Sequence, residues 1–323
     1  MTMSKNELAC VLAAIRSQPW AIVPEYLEAI EAIALRSLDA DVLSRVAADG
    51  HVAMIEASRA AVAAVGRRLE GASMSMQCDG TAVVPVFGTI FPRASMLGAS
   101  TGGTALSSIM ADMRVAWATE SVERIVMLVD SPGGVVSGLG EAAEALRASP
   151  KPITAFVTGI GASAAYWLAS QAQEIVLDRS AMVGSIGVLA TTSRQEGPDA
   201  SGRRSYEITS SGAPLKRPDP STDEGRAAIQ RDVDALEAVF VADVAAGRRV
   251  KASTVRSEFG RGAMVVAEEA VAAGMADRVG TLEAELSRGT GRNTGRTRGT
   301  GGGRRARAAA QVETRRRAAE ERN

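Results

Sequence analysis

Apolar and polar positions change rhythm twice along the chain. Through about residue 75 the rhythm is helical. Ile22, Leu27, Ile30, Ile33 and Leu35 recur at spacings of two to five residues, read as one face of a helix. Pro24 suits a first helical turn, where its missing N–H costs nothing. A second, alanine-rich stretch runs from Val52 to Leu69, with His51 in a turn at its start. From residue 81 the runs shorten. TAVVPVFGTI (81–90) is a β-branched strand ending in glycine, followed by a polar loop through Gly103 and a helix over 105–118. RIVMLVD (124–130), PITAFVT (152–158), QEIVLD (173–178) and GSIGVLA (184–190) are further apolar runs of strand length. SPGGVVSG (131–138) and GIGASAAYWLAS (159–170) turn the chain from strand into helix.

Strands alternating with helices at this spacing predict an α/β domain with largely parallel pairing. Residues 191–206 are polar and rich in turn formers, which predicts a loop or hairpin excursion. A long helix fits 222–246, and a closing helix–strand pair fits 267–280. From Ser287 the pattern is lost. RGTGRNTGRTRGTGGG has little capacity to bury anything, and the remainder reads as a short charged helix. Three segments follow: a helical N-terminal segment (1–75), an α/β domain (76–286) and a flexible basic tail (287–323). Residues 288–323 hold eleven arginines against three glutamates. Such a tail is either a solvated extension or a contact for an acidic partner or nucleic acid.

Composition narrows the chemistry. The chain has 323 residues, 46% of them hydrophobic, enough for a substantial core. Its formal net charge is zero, so the chain as a whole offers no electrostatic case for nucleic acid. Cys10 and Cys78 stand far apart, with neither metal-ligand spacing nor a disulfide framework, and fit a reducing compartment. No run of about 18 apolar residues suggests a membrane anchor, and the N-terminus lacks the layout of a secretory signal. A cytoplasmic protein without metal or cofactor is the expectation. The single histidine, His51, must serve any scheme that needs a histidine base.

Two glycine-rich turns carry the candidate chemistry. Ser163 sits on a strand-to-helix turn among Gly161, Ala162, Ala164 and Ala165, small neighbours that let a substrate carbonyl approach. The following helix start offers free N–H groups to a developing oxyanion. Taken alone, this pattern more often marks tight packing. A Ser-His-Asp arrangement on an α/β-hydrolase fold fails, because no histidine follows the serine and Ala165 replaces the last glycine of G-x-S-x-G. Asp130-Ser131-Pro132-Gly133-Gly134 also opens a helix, and its paired glycines leave N–H groups uncovered. The sequence lacks the G-x-G-x-x-G and G-x-x-x-x-G-K-[ST] phosphate loops here, so an oxyanion hole is the better reading, with a tight connection as the alternative. A desolvated lysine can act as the serine's base. Lys216 is the only lysine between Pro152 and Val250.

The set PVFGTI (85–90), DSPGG (130–134), GASAAYW (161–167), VGSIGV (183–188) and SSGAPLK (210–216) resembles, in order and spacing, the signal peptide peptidase A family. It is similar in particular to the family's phage and prophage head maturation branch. The resemblance covers residues 80–282, with GRGAMVVAEEAVAAGMADRVG (260–280) as the closing segment, and PWAIVPEYLEAI (19–30) looks like the phage branch's leader. It implies a Clp protease/crotonase-like fold of repeated β-β-α units. It implies Ser163 as nucleophile and Lys216 as general base. Gly133 or Gly134, with the N–H of Ala164, would form the oxyanion hole, and Ser185 would hold the lysine. The lysine here is displaced by about one position from the family's run, and Arg217 follows it where the family has aspartate.

The implied activity is a serine endopeptidase cleaving scaffold or capsid proteins, and itself, in the host cytoplasm or an assembling prohead. A homo-oligomer, with sites completed across subunits, is implied as well. The alternatives are a cellular signal-peptide-degrading peptidase and an inactive scaffold or assembly protein of the same fold. A crotonase-type acyl-CoA enzyme would not call for a paired serine and lysine.

Overall fold

The computed structural model describes residues 18–28, 30, 66–93, 103–192, 197–198, 202, 204, 206 and 208–288. In chain order, β1 (Trp20–Ile22), β2 (Arg67–Arg68), β3 (Met76–Cys78), β4 (Thr81–Phe87), β5 (Ile90–Phe91) and β6 (Thr104–Ala105) precede α1 (Leu106–Ala118). Then come β7 (Arg124–Ser131), β8 (Gly133–Val135), α2 (Leu139–Arg147), β9 (Ile153–Ala162), α3 (Ala164–Ala169), β10 (Glu174–Leu177) and β11 (Met182–Gly184). After a 3-10 turn at Pro214–Lys216 follow α4 (Asp223–Arg248), α5 (Ala252–Glu258), β12 (Met264–Val266), α6 (Ala267–Ala272), β13 (Arg278–Val279) and α7 (Leu282–Ser287).

Parallel strands β4, β7 and β9 form the centre of the larger sheet, whose main path runs β12-β11-β9-β7-β4-β3-β2. Both faces of this centre are covered, which is why its strands are apolar runs without polar alternation. The two-residue side-chain period divides them. Ile125, Met127 and Val129 join one core with α1, α2 and α3, whereas Val126 and Leu128 join Phe87, Phe156, Val176 and Leu286 on the other face. The first half of β9 pairs with β10, and its far end with β11. A smaller sheet, ordered β1-β8-β5-β6, lies at the ends of β4 and β7 in the chain. The chain passes from β7 to β8 through Pro132, after a register shift between Val129 and Ser131. This α/β architecture with parallel central strands agrees with the expected Clp-like fold.

The helical expectation for the N-terminal segment needs correction within the described residues. Residues 24–28 are helical, with Pro24 at the first position. Trp20–Ile22 and Arg67–Arg68, however, are strands. Residues 20–22 gain a backbone ladder with β8 and near-complete burial, and that pairing overrides the local spacing. Gly133–Val135 is likewise a strand and not only a turn. The strand expected over 184–190 stops at Gly184, leaving a single bridge from Leu189 to Trp20. No strand precedes Lys216 among 208–213. His51, the alanine-rich stretch up to residue 65 and the basic tail beyond Arg288 lie outside the described residues.

Candidate active site

Ser163 stands where β9 ends and α3 begins. Its backbone, at φ 52° and ψ −116°, is one that side chains rarely adopt. Two bonds fix it: its N–H donates to the Gly184 carbonyl at 2.8 Å, and its carbonyl accepts from the Trp167 N–H at 2.8 Å. Helix α3 has only six residues, so tertiary contacts hold it in place. The Trp167 ring stacks on Phe240 of α4 with centroids 4.4 Å apart, and its Nε1 donates to Asp243 Oδ2 at 2.9 Å. The Tyr166 hydroxyl donates to the Met275 carbonyl at 2.8 Å, and burial pushes this phenol above its usual titration range. Helix α4 is set by Thr222, whose side chain accepts from the Gly225 N–H, with Asp223 and Glu224 in its first turn.

The adjacent parallel strand repeats the geometry. Gly184 lies opposite Ala162 in the β9–β11 register, so the next residues, Ser163 and Ser185, leave neighbouring strand ends together. Ser185 shares the φ of 52° and donates its N–H to the Ala263 carbonyl at 3.0 Å. On the other side, Gly133 (φ +108°) packs against the serine: a Cβ built on it would lie 3.0 Å from Ser163 Cβ. Only glycine allows both that backbone and that approach. The structure therefore brings Ser163, Ala164, Ser185 and Gly133 together.

Two residues of the turn to which sequence reasoning assigned no separate role hold it in place. Ser131 Oγ donates to the Gly88 carbonyl at 2.6 Å and accepts the Gly133 N–H at 3.2 Å. Asp130 Oδ1 accepts the Ile160 N–H at 3.0 Å and fills the space a side chain at Gly159 would need. The signal for Ser131 was a serine two residues before a glycine, a common side-chain-to-backbone turn. In this conformation the Gly133 N–H is spent on Ser131. Gly134, opposite Ala21, belongs to the β1–β8 ladder.

The Ser163 side chain is fully buried, and its Oγ makes no hydrogen bond. Lys216 ends the 3-10 turn Pro214–Lys216 and is exposed. The structure does not join these two side chains. Among the described residues, no cluster of three or more His, Cys, Asp or Glu could hold a metal, and no helix is long and apolar enough to cross a membrane.

A Clp-like α/β domain with a strained serine between a parallel strand and a short helix is the class this geometry defines. Comparison with known proteins agrees: residues 86–185 match Clp protease, and residues 145–290 match Peptidase family S49. Residues 145–290 thus resemble the S49 peptidases. The chain is 30% identical over 208 residues to capsid assembly protease C of Escherichia phage lambda, covering 62% of this chain and 46% of that protein. It is 27% identical over 206 residues to the head-tail preconnector protein GP5 of Enterobacteria phage P21, covering 62% and 41%. To Protease 4 of Haemophilus influenzae it is 27% identical over 218 residues, covering 64% and 34%. The chain spans less than half the length of these relatives.

Proposed function

We propose that this chain is a serine endopeptidase acting on capsid or scaffold proteins during assembly of a phage head. The observation that carries the reading is Ser163: a hydroxyl at a strained strand-to-helix junction, bounded by Gly133, with no structural hydrogen bond to explain it. A buried polar atom without a partner costs stability, so its retention favours a chemical role. The matches to an S49 peptidase and to two phage assembly proteins support the same conclusion.

In the proposed reaction Lys216, unprotonated, takes the Ser163 proton as Oγ bonds to the scissile carbonyl carbon. The oxyanion is met by the first N–H of α3, at Ala164, and by the N–H groups of the Gly133–Gly134 turn once Ser131 and β1 release them. Collapse breaks the C–N bond, and the proton passes from Lys216 to the leaving amine. Water, deprotonated by the same lysine, then releases the acyl group. Ser185, beside Ser163 on the neighbouring strand end, orients the lysine. Bringing Lys216 to Ser163 requires its turn to move or another subunit to supply it, so self-association belongs to the reading. Host cytoplasm, or a prohead within it, is the proposed setting.

A second reading, an assembly protein without catalysis, is favoured by the exposure of Lys216 and the burial of Ser163. Intact-mass measurement separates the two. Wild type, Ser163→Ala and Lys216→Ala are incubated alone and with a capsid protein. Cleavage by wild type only is expected; equal cleavage by Lys216→Ala removes the assigned base. A folded wild type that leaves itself and its capsid protein intact moves the case to the assembly reading.

A further inference from the structure

Strand β1 and the nucleophile flank the same glycine, Gly133. Trp20, Ala21 and Ile22 pair antiparallel with Val135, Gly134 and Gly133. Flanking bonds extend the ladder: the Val23 N–H donates to the Pro132 carbonyl at 3.0 Å, and the Val136 N–H to the Pro19 carbonyl at 3.2 Å. On its opposite edge Trp20 exchanges both backbone bonds with Leu189, each at 2.9 Å. The three residues thus lie between two segments of the domain, one following Ser131 and the other following Ser185. The site itself lies directly alongside. A Cβ built on Gly133 would lie 2.3 Å from the Ala21 carbonyl oxygen, 2.9 Å from Ile22 Cα and 3.0 Å from Ser163 Cβ. The backbone of β1 and the serine converge on one point.

A polypeptide that is to be cut must lie extended with a carbonyl beside the serine, and an extended peptide gains affinity by adding a strand to open sheet edges. The edge of 133–135 is the one beside Ser163, and β1 takes it while also pairing with Leu189. The Ser163 side chain is fully buried in this state. We propose that β1 is a built-in blocking strand. Trp20–Ile22 occupies, in cis, the lane through which an extended substrate reaches Ser163, and the domain is latent until that strand leaves. The inference rests on the peptidase reading of Ser163.

The blocking strand is held by its own small cluster: Trp20 and Ile22 pack with Leu27, Ile30, Phe91 and Val135. Trp20 meets Phe91 edge-to-face at 6.1 Å. This cluster is separate from the main core, which β1 joins through Ala21. Of β1 only the small Ala21 side chain leaves the main core when the lane opens, so the central sheet need not unfold. A capsid or scaffold segment would have to outcompete the three-residue ladder, its flanking bonds at Val23 and Val136, the Trp20–Leu189 pair and this cluster. That gives the enzyme a threshold at which dense, assembled substrate frees the site and scattered copies do not.

Two measurements on the full chain test it. Native-state hydrogen exchange reads the strand itself: the amides of Trp20, Val23 and Leu189 should exchange together through a smaller opening than Val126 and Val129 of β7. Equal protection makes β1 a permanent member of the sheet and overturns the inference, leaving the peptidase reading intact. Labelling with a serine-reactive fluorophosphonate, located by peptide mapping, reads the site. Ile22→Asp, or Trp20→Ala should the first variant not fold, should label at Ser163 roughly tenfold faster than wild type or more. A synthetic peptide of residues 18–24 should slow that labelling again. Equal rates in variant and wild type overturn the inference. If β1 opens by exchange yet Ser163 is labelled in neither protein, the peptidase reading fails, and the inference falls with it.

Discussion

Gly134 has no room for a side chain, because a Cβ there would lie 2.0 Å from the Ile90 carbonyl oxygen across the β5–β8 pair. Backbone on both sides cannot yield cheaply, so Gly134→Ala should lower stability by about 1–3 kcal/mol, as overpacking does. Urea unfolding with an unchanged m value would show it. Gly133 differs in kind. At φ +108° an alanine is strained before it touches anything, and its methyl would meet Ala21 of the blocking strand and Ser163 as well. Gly133→Ala should therefore cost at least as much stability and also disturb the site. Loss of cleavage out of proportion to the stability change is the expected signature. A variant with full activity would show that the glycine serves packing alone. These two adjacent glycines have one letter in common and two different reasons for it.

Helix α1 is tied to the β2–β3 hairpin by one buried carboxylate. Asp112 Oδ1 accepts from the Ser73 N–H and hydroxyl, and Oδ2 accepts from the N–H groups of Met74 and Ser75 and the Ser75 hydroxyl. Removing the acceptor strands several donors away from water, so Asp112→Ala should cost on the order of 3 kcal/mol. Asp112→Asn should recover part of that, because one oxygen remains. The same hairpin shows why some elements were legible and others were not. Strands β4, β7, β9 and β10 are apolar runs buried on both faces, and burial is written into composition. β8 reads Gly-Gly-Val, which nothing local would make a strand; β1 and β5 on its two edges do. β1 itself carries a helix-like spacing and is extended only through its partners. At the site, Ser163 was legible from its small neighbours. The strand Trp20–Ile22 beside its glycine Gly133 was not, because no local pattern encodes a long-range pairing. Lys216 illustrates the same limit: its position in the sequence is clear, but the exposed turn that carries it does not disclose its path to the serine.

Charge links the last elements to the rest of the described domain. Arg278 bonds Glu174 through Nε at 2.8 Å and Glu285 through an Nη at 2.6 Å, and Arg288 joins the same two carboxylates at 3.0 and 3.2 Å. Partial burial would raise the Glu174 carboxyl, but the bonds and charges of Arg278 and Arg288 win and hold it below its ordinary range. A carboxyl depressed in the folded state adds stability that is complete above its unfolded value, about pH 4.3. That stability is lost as pH falls through the lower folded value. Arg278→Gln should accordingly reduce stability at pH 7 and flatten the acid side of the stability profile. An unchanged acid limb would show that Glu174 draws its stabilisation elsewhere.

The chain's zero net charge conceals a division. Residues 288–323 carry eight net positive charges, so residues 1–287 carry eight net negative ones. An acidic body has no reason to approach a nucleic acid, whose phosphates repel it, whereas an arginine-rich segment releases counterions on contact. Any binding to duplex DNA should therefore pass through the tail and weaken steeply between 50 and 200 mM salt, with a slope set by the phosphates neutralised. Reversing Arg315, Arg316 and Arg317 to glutamate changes that segment by six charges without altering the domain. Fluorescence anisotropy on a short duplex across a salt series should show the variant losing both affinity and salt slope. Binding that survives the reversal with the same slope would mean that the body supplies the contacts through a local basic patch. Acidic protein partners remain the other candidates for the tail. Because an acidic partner competes for the same arginines, a capsid protein that binds the tail should displace the duplex at low salt and fail to do so once the three arginines are reversed.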